Sequence, residues 1–304
     1  MQTASDSYLL GILLAMAGTI FFSVTNVIYK RMSDDISVMD IMVSRMWVSL
    51  PVSYFFAVIA AGSYRIVIPL EAMFPLAFSM ILGIVIGDAM YFLSQERIGV
   101  SRAFPISMSY PLMVYALTAY FLGEPVIPQR VLGAFVVVAG VGLVARTAKK
   151  ESSEESPRWG SHGMRIGLAL AFLTLIAWAV SDAIFQFGLI GVGAAEANYF
   201  RTLFASVALV PFFLFSLRNN RALPGRKTII YATMTGLVGM SFAILAGSYA
   251  VKFLGATVAS IIIASGPALT LPLSVVFLGE VANRSVLVGT LLTIIGIVLV
   301  TAIF

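Results

Sequence analysis

The chain has 304 residues, of which 60% are hydrophobic and 11% are charged, and a mean hydropathy of +1.00, which excludes a water-soluble fold and makes lipid its solvent. It has no cysteine and one histidine, His162, in a loop, so disulfides and thiolate sites are excluded and metal or histidine chemistry lacks its usual residues. Although the net charge is +5, the basic residues cluster in short loops between apolar runs, which excludes nucleic-acid binding.

Ten apolar runs are long enough to cross a bilayer as helices. No Lys or Arg precedes the first run, which is longer than a signal-peptide core, so we predict a retained first helix. The runs fall near residues 8–29, 38–61, 72–94, 101–122, 130–146, 163–187, 195–217, 228–251, 256–278 and 285–303. A polar linker at 148–162 separates a first half, 1–147, from a second half, 163–304. The predicted fold is all-α and polytopic, with ten transmembrane helices.

The second half repeats the first at an offset of 156 residues. The matched positions are Arg45 and Arg201, Gly83 and Gly239, Pro111 and Pro267, Leu122–Glu124 and Leu278–Glu280, and Gly133 and Gly289. Each half contains five spans, an odd number, so the two halves have opposite topology. This is the inverted-repeat arrangement typical of secondary transporters.

The loop charges predict an orientation, because loops rich in Lys and Arg resist translocation. The loops after the odd-numbered spans carry fourteen basic residues, and the other loops carry three, Arg65, Arg130 and Lys252. This count places both termini outside the cytoplasm. Nine of the fourteen lie in the linker and the loop after the seventh span, so one misplaced span would weaken the argument.

Four ionisable residues, Arg45, Asp88, Asp182 and Arg201, lie well inside predicted spans, where charge is expensive. Arg45 and Asp88 are both about 10 Å below one surface. Asp182 and Arg201 are at a similar depth from the opposite surface, and Asn26 aligns with Asp182 across the repeat. We predict one carboxylate and arginine pair in each half. Two interpretations stay open: a pair binds a proton or an anionic substrate group, or it only fixes helix register.

Prolines interrupt the fourth and ninth spans at matching places, with Pro105 in one and Pro272 in the other as further breaks. A proline frees a backbone carbonyl, which lipid tolerates only beside protein or a cavity, and paired interruptions point to a transporter's binding site. The alternative is a packing kink without a ligand. The predicted substrate site near mid-membrane includes Tyr110, Pro111, Gly266 and Pro267.

Aromatic side chains are the predicted wall of this site. Tyr110 directly precedes Pro111, and Tyr91 is three residues from Asp88 and so on the same helical face. Trp178, in the sixth span, belongs to a polar stripe that also contains Asp182. Other aromatics near span ends fit the interfacial belt equally well.

Small residues at Gly83 and Gly87, and in the fifth and tenth spans, predict close helix packing or a dimer face, so we expect a monomer or a homodimer. Glu124 and Glu280 each follow a span and are predicted to cap the next helix or to hold the loop.

The order of these motifs resembles the EamA-type branch of the drug/metabolite transporter superfamily. The resemblance rests on the arginine of spans two and seven, the proline and the terminal Leu-Gly-Glu of spans four and nine, and the glycine that opens spans five and ten. It implies ten spans in two inverted repeats and export or exchange of small metabolites such as amino acids through a central cavity. Members of such families have both termini in the cytoplasm, opposite to the charge count, so orientation stays open.

The sequence therefore predicts a secondary transporter in the cell membrane, with a small-molecule substrate, the lipid bilayer and a proton as coupling ion for partners. No cofactor, metal site or catalytic residue is expected, and no Walker-type motif occurs. An intramembrane enzyme would need catalytic groups at matching depth, whereas Asp88 and Asp182 are predicted toward opposite surfaces. A passive channel and a non-transporting scaffold remain alternatives.

Overall fold

A computed structural model gives the fold. It describes residues 2–32, 38–98, 103, 106–151, 160–211, 214, 226–266 and 284–301. These parts of the chain are helical apart from short connections, and they contain no strand.

The helices follow the predicted spans closely. Their bounds are α1 Gln2–Met32, α2 Val38–Ala61, α3 Leu70–Met80, π1 Ile81–Gly87, α4 Asp88–Ile98, α5 Tyr110–Phe121, α6 Pro128–Glu151, α7 Gly160–Gly188, α8 Ala194–Ala208, α9 Arg226–Thr235, π2 Gly236–Ala243, α10 Ile244–Ala264 and α11 Arg284–Thr301. The third span is α3, π1 and α4 in succession. The eighth span is α9, π2 and the start of α10, and α10 continues past a break at Gly255, φ +81°, into the ninth. Residues 148–151 and 160–162, placed in the predicted linker, are helical.

Among the residues described, five helical stretches are long and apolar enough to cross a membrane, and two shorter apolar helices accompany them. The surface of α11 shows the corresponding pattern. Leu287, Leu291 and Val298 are more than half exposed along one side, whereas Thr293 and Val300 on the other are buried against the protein. An apolar exterior over a helical interior is the pattern that lipid requires. The predicted all-α polytopic fold is confirmed.

Two π-helical segments occupy equivalent places in the two halves. π1 and π2 begin 155 residues apart and end 156 apart. π-helix is rare, and its hydrogen bonds join residues five apart, so local propensity does not explain two π-helical segments at matching positions. Each segment holds a glycine that a hydroxyl side chain presses against: Ser181 packs on Gly83, and Thr25 packs on Gly239. The same kind of contact therefore accompanies the π-helical segment in both halves.

Glycines also join the fifth and tenth spans, α6 and α11. A Cβ on Gly133 would lie 2.8 Å from the carbonyl oxygen of Gly296, and one on Gly140 would lie 2.6 Å from that of Gly289. Of the two predicted uses of these small residues, packing within the chain is therefore the one that the structure displays for α6 and α11.

Candidate functional site

One face of α7 carries the polar and aromatic side chains around which the site is built. They follow the spacing i, i+3, i+4, i+7 and i+8, so they lie above one another: Trp178, Ser181, Asp182, Phe185 and Gln186. They extend over about 12 Å of helix axis. This helix contacts α3, π1, α4 and α5 of the first half and α10 of its own half, so its polar face lies between the halves.

The first charged pair joins Arg45, on α2, to Asp88, the first residue of α4 and the residue that directly follows π1. Arg45 is 2% exposed, and its guanidinium nitrogen is 3.7 Å from an oxygen of Asp88, whose side chain is 14% exposed. The other oxygen of Asp88 accepts a hydrogen bond of 3.1 Å from the indole N–H of Trp178, which also points at the carbonyl of Gly83, 3.1 Å away. The indole thus reaches the π1 backbone and the carboxylate that follows it, and it fixes both relative to α7.

An aromatic cluster surrounds the same indole. The ring of Tyr91 lies 5.2 Å from Trp178, and the ring of Tyr110 meets it edge-on at 5.8 Å. The hydroxyl of Tyr110 donates to the carbonyl oxygen of Ser260 at 3.5 Å, so α5 of the first half is tied to α10 of the second. Such contacts bury large apolar area while keeping a polar end available.

The second charged pair is looser than the first. Asp182 interacts electrostatically with both Arg201 and Tyr110. Within the described chain, however, the carboxylate of Asp182 and the guanidinium of Arg201 do not approach within 4 Å. The guanidinium carbon instead stacks 3.7 Å above the ring of Phe185, a cation–π contact.

Both carboxylates lie beside α7. Asp88 binds the indole of Trp178, and Asp182 is four residues, about 6 Å along the axis, from Trp178 on α7. That the two carboxylates lie toward opposite surfaces of the membrane stays a prediction.

Glu124, at the end of the Leu-Gly-Glu motif, lies in a second polar cluster. Its carboxylate accepts hydrogen bonds from the amide N–H of Gln186 at 2.8 Å and from the hydroxyls of Thr257 at 2.6 Å and Thr118 at 3.0 Å. The side-chain amide oxygen of Gln186 accepts a hydrogen bond from the backbone N–H of Ala256, which directly follows the break in α10. Glu124 therefore links α5, α7 and α10 rather than capping α6. Glu280 lies outside the described residues.

The predicted site residues fall into two groups. The structure brings together Arg45, Asp88, Tyr91, Tyr110, Trp178, Asp182 and Arg201. Pro111 is buried in the first turn of α5, where its missing N–H costs nothing, and the carbonyl of Gly266 accepts from Ser23 at 3.0 Å. Pro267 lies outside the described residues, and for Asn26 only its helical backbone position is described.

Three residues near this site were not predicted. Phe185 stacks on Arg201, Thr257 binds Glu124, and Asn198 is fully buried one turn before Arg201 on α8. The spacing Asn198 to Arg201 was the available signal, because i and i+3 share a helix face. Asn198 lies near the start of a predicted span, where polar residues are common, so the sequence alone did not single it out.

An open cleft of about 530 Å³ lies elsewhere, between α2, α8 and the connection after α2. It is lined by Leu50, Pro51, Tyr54, Tyr64, Ile66, Tyr199 and Leu203, none of which belongs to the predicted site. The charged residues of the site are instead packed among helices. Within the described residues, no group of three or more metal-ligating side chains occurs.

Comparisons with known proteins agree with this architecture. The EamA-like transporter family matches the chain twice, over residues 9–146 and 165–302. An uncharacterized transporter of Archaeoglobus fulgidus is 26% identical over 174 residues, a match that spans 57% of this chain and 57% of that protein. A solved crystal structure of a protein has a TM-score of 0.73 at 15% sequence identity, covers 95% of this chain and 96% of its own, and shows a shared fold. Because the family match takes in nearly all of both halves, this chain belongs to the EamA-like transporter family and is a multi-pass membrane protein.

Proposed function

We propose that this protein is a secondary transporter of the cell membrane that exports or exchanges small amphipathic metabolites, such as amino acids, by alternating access. The observation that supports this best is the run of contacts from Arg45 through Asp88 and Trp178 to Tyr110. It crosses from the first half to the second and back, so rocking of one half against the other would rearrange it.

The charges of the site favour a neutral or zwitterionic solute. Each half contributes one carboxylate and one arginine, so the two pairs carry no net charge. A buried net charge is expensive to move through the low-dielectric part of the membrane. A zwitterion adds none, so its binding does not change the net charge that the carrier moves between its outward and inward states. The rings of Tyr91, Tyr110 and Trp178 supply an apolar surface for the rest of the solute.

Counterflow in proteoliposomes tests transport. Vesicles loaded with one unlabelled amino acid from a panel, such as L-phenylalanine, L-leucine or L-threonine, are diluted into the same labelled amino acid at trace concentration. A carrier accumulates label transiently, whereas a channel only equilibrates it and a scaffold moves none. We expect accumulation by the wild type, loss of it in Asp88→Ala, and no change in Glu71→Gln, whose exposed carboxylate lies on α3. Equilibration of the label without transient accumulation, for every amino acid of the panel, would show that the protein is a channel and not a carrier.

Proton coupling through Asp88 is part of the proposal. The carboxylate is deep in a span, faces Arg45, Trp178 and Tyr91, and has no acidic counterpart in the second half, where Ile244 occupies its place. Asp88→Asn keeps the size of the side chain but cannot release a proton. We expect this variant to retain exchange and to lose uptake driven by a pH gradient. Full gradient-driven uptake by Asp88→Asn would refute coupling at this residue.

A further inference from the structure

Two buried side chains on α8 have polar atoms without a hydrogen-bond partner among the described residues. Asn198 is 0% exposed, and neither atom of its amide forms a hydrogen bond with any part of the chain that the structure describes. Arg201, one turn later and 6% exposed, has an Nε–H without an acceptor among the same residues. Because the two residues are three apart, their side chains share a face of α8.

Such groups are costly in this environment. A buried donor or acceptor without a partner loses its hydration and gains nothing in return, and the interior of a membrane protein offers no bulk water to replace it. Neighbouring buried hydroxyls show the usual solution: Thr202 and Ser206 each donate to a carbonyl one turn earlier at 2.8 Å. Asn198 lacks that solution among the described residues, which leaves both atoms of its amide able to bond a ligand.

The two arginines of the repeat differ in what occupies them. Arg45 is held by Asp88, whose other oxygen is fixed by Trp178. Among the described residues, no carboxylate lies within 4 Å of the guanidinium of Arg201; the charge of Asp182 is more distant, and the ring of Phe185 covers one face of the guanidinium. The N–H groups of a guanidinium point outward in its plane, so a ring on its face leaves this edge to a planar anion such as a carboxylate.

We propose that Asn198 and Arg201 bind the carboxylate of the transported substrate and that Asp182 takes its ammonium group. This inference rests on the transport function proposed above and narrows its substrate class to amino acids with a free carboxylate and a free amine. The amide N–H of Asn198 and Nε–H of Arg201 donate to the carboxylate. Both side chains are buried in the conformation described, and on the proposed mechanism rocking of the halves exposes them to the substrate.

The experiment compares L-phenylalanine with its close analogues in the counterflow assay. Phenethylamine lacks the carboxylate, L-phenylalaninamide neutralises it, and 3-phenylpropionate lacks the amine. If the protein transports another amino acid of the panel, the corresponding amine and amide of that amino acid are used instead of the phenylalanine analogues. Wild-type protein is expected to require at least tenfold more of each analogue than of unlabelled L-phenylalanine for half-inhibition.

Three variants then locate the recognition. Asn198→Leu removes the amide and leaves an apolar side chain of similar size, so the ligand-free protein should melt at the same or a higher temperature while KM for L-phenylalanine rises about tenfold or more. Arg201→Lys keeps the charge but not the planar edge, and the same rise in KM is expected. Ser206→Ala, on the same helix, removes a hydroxyl that donates to the carbonyls of Thr202 at 2.8 Å and of Met46, on α2, at 3.4 Å, and it should leave KM unchanged.

Each outcome decides between the possibilities. A stabilised Asn198→Leu variant with unchanged KM would make Asn198 a structural residue and overturn the proposal. Equal inhibition by phenethylamine would show that the carboxylate is not recognised, with transport itself intact. If Asn198→Leu does not fold, an unchanged KM in Arg201→Lys overturns the proposal, and a raised KM together with weak inhibition by phenethylamine supports it. Absence of counterflow for every amino acid in the wild type is a different result and removes the transport proposal as well.

Discussion

Two glycines on α6, two residues apart, should respond to the same substitution in opposite directions. Gly140 faces α11, where an added Cβ would lie 2.6 Å from the carbonyl oxygen of Gly289 and 2.8 Å from the backbone nitrogen of Thr293. Gly142 has no atom within 4 Å of an added Cβ. Alanine therefore collides with backbone at the first position and meets open space at the second.

The sizes of the two effects follow from this geometry. Overpacking costs about 1–3 kcal/mol, and because backbone atoms cannot rotate away the value for Gly140→Ala should lie near the upper end. Alanine recovers about 0.5–1 kcal/mol of helix-forming free energy at either position. We expect Gly140→Ala to destabilise the protein by roughly 2 kcal/mol and Gly142→Ala to stabilise it by about 0.5 kcal/mol.

Tryptophan fluorescence during thermal unfolding in detergent measures both variants. A difference of roughly 2–3 kcal/mol corresponds to several degrees between their melting temperatures at this chain length. Gly142→Ala is the matched control, since it has the same chemistry on the same helix. A Gly140→Ala variant that melts within a degree of wild type, or two variants that shift the same way, would refute close backbone packing between α6 and α11.

Three further predictions concern the polar face of α7. Glu124→Gln should lower the melting temperature, because three hydrogen bonds lose their charged acceptor. Adding Gln186→Glu should restore most of the loss, because the exchanged pair keeps every donor and acceptor. A double variant no more stable than Glu124→Gln alone would contradict the hydrogen-bond network. Gly83→Ala should destabilise the protein by about 1–3 kcal/mol, because the added Cβ collides with Ser181. Adding Ser181→Gly should recover part of this loss, because the colliding side chain is removed. A double variant that melts no higher than Gly83→Ala alone would contradict this contact. Trp178→Phe removes the indole donor but keeps an aromatic ring, so counterflow should show reduced transport with normal membrane expression, and unchanged kinetics would exclude a role for the indole N–H.

Much of the fold was predictable because lipid imposes long apolar helices, and the repeat then supplied their grouping. Gly255 was placed between the eighth and ninth spans from the sequence, and the structure breaks α10 there. The charged site was predictable for a similar reason, since ionisable residues are rare inside spans, so few candidates remained.

The rest depends on contacts that no local pattern encodes. π1 and π2 lie where a hydroxyl of α7 or of α1 contacts a glycine, and the helix propensity of those residues does not reveal this. The bond from Ala256 to Gln186 joins residues 70 apart in sequence. Asn198 is notable only because its amide lacks a partner, and that is a property of three-dimensional packing.

The paired π segments also bear on how the two halves of the chain arose. A π turn holds a surplus residue relative to the α turn, which is what a single-residue insertion into a helix produces. One insertion in an ancestral five-helix unit, made before that unit was duplicated and fused, is a simpler origin than two separate insertions at the same repeat position. The two copies then diverged at the residue that follows: Asp88 in one and Ile244 in the other. On this history the backbone distortion is older than the difference in charge between the halves.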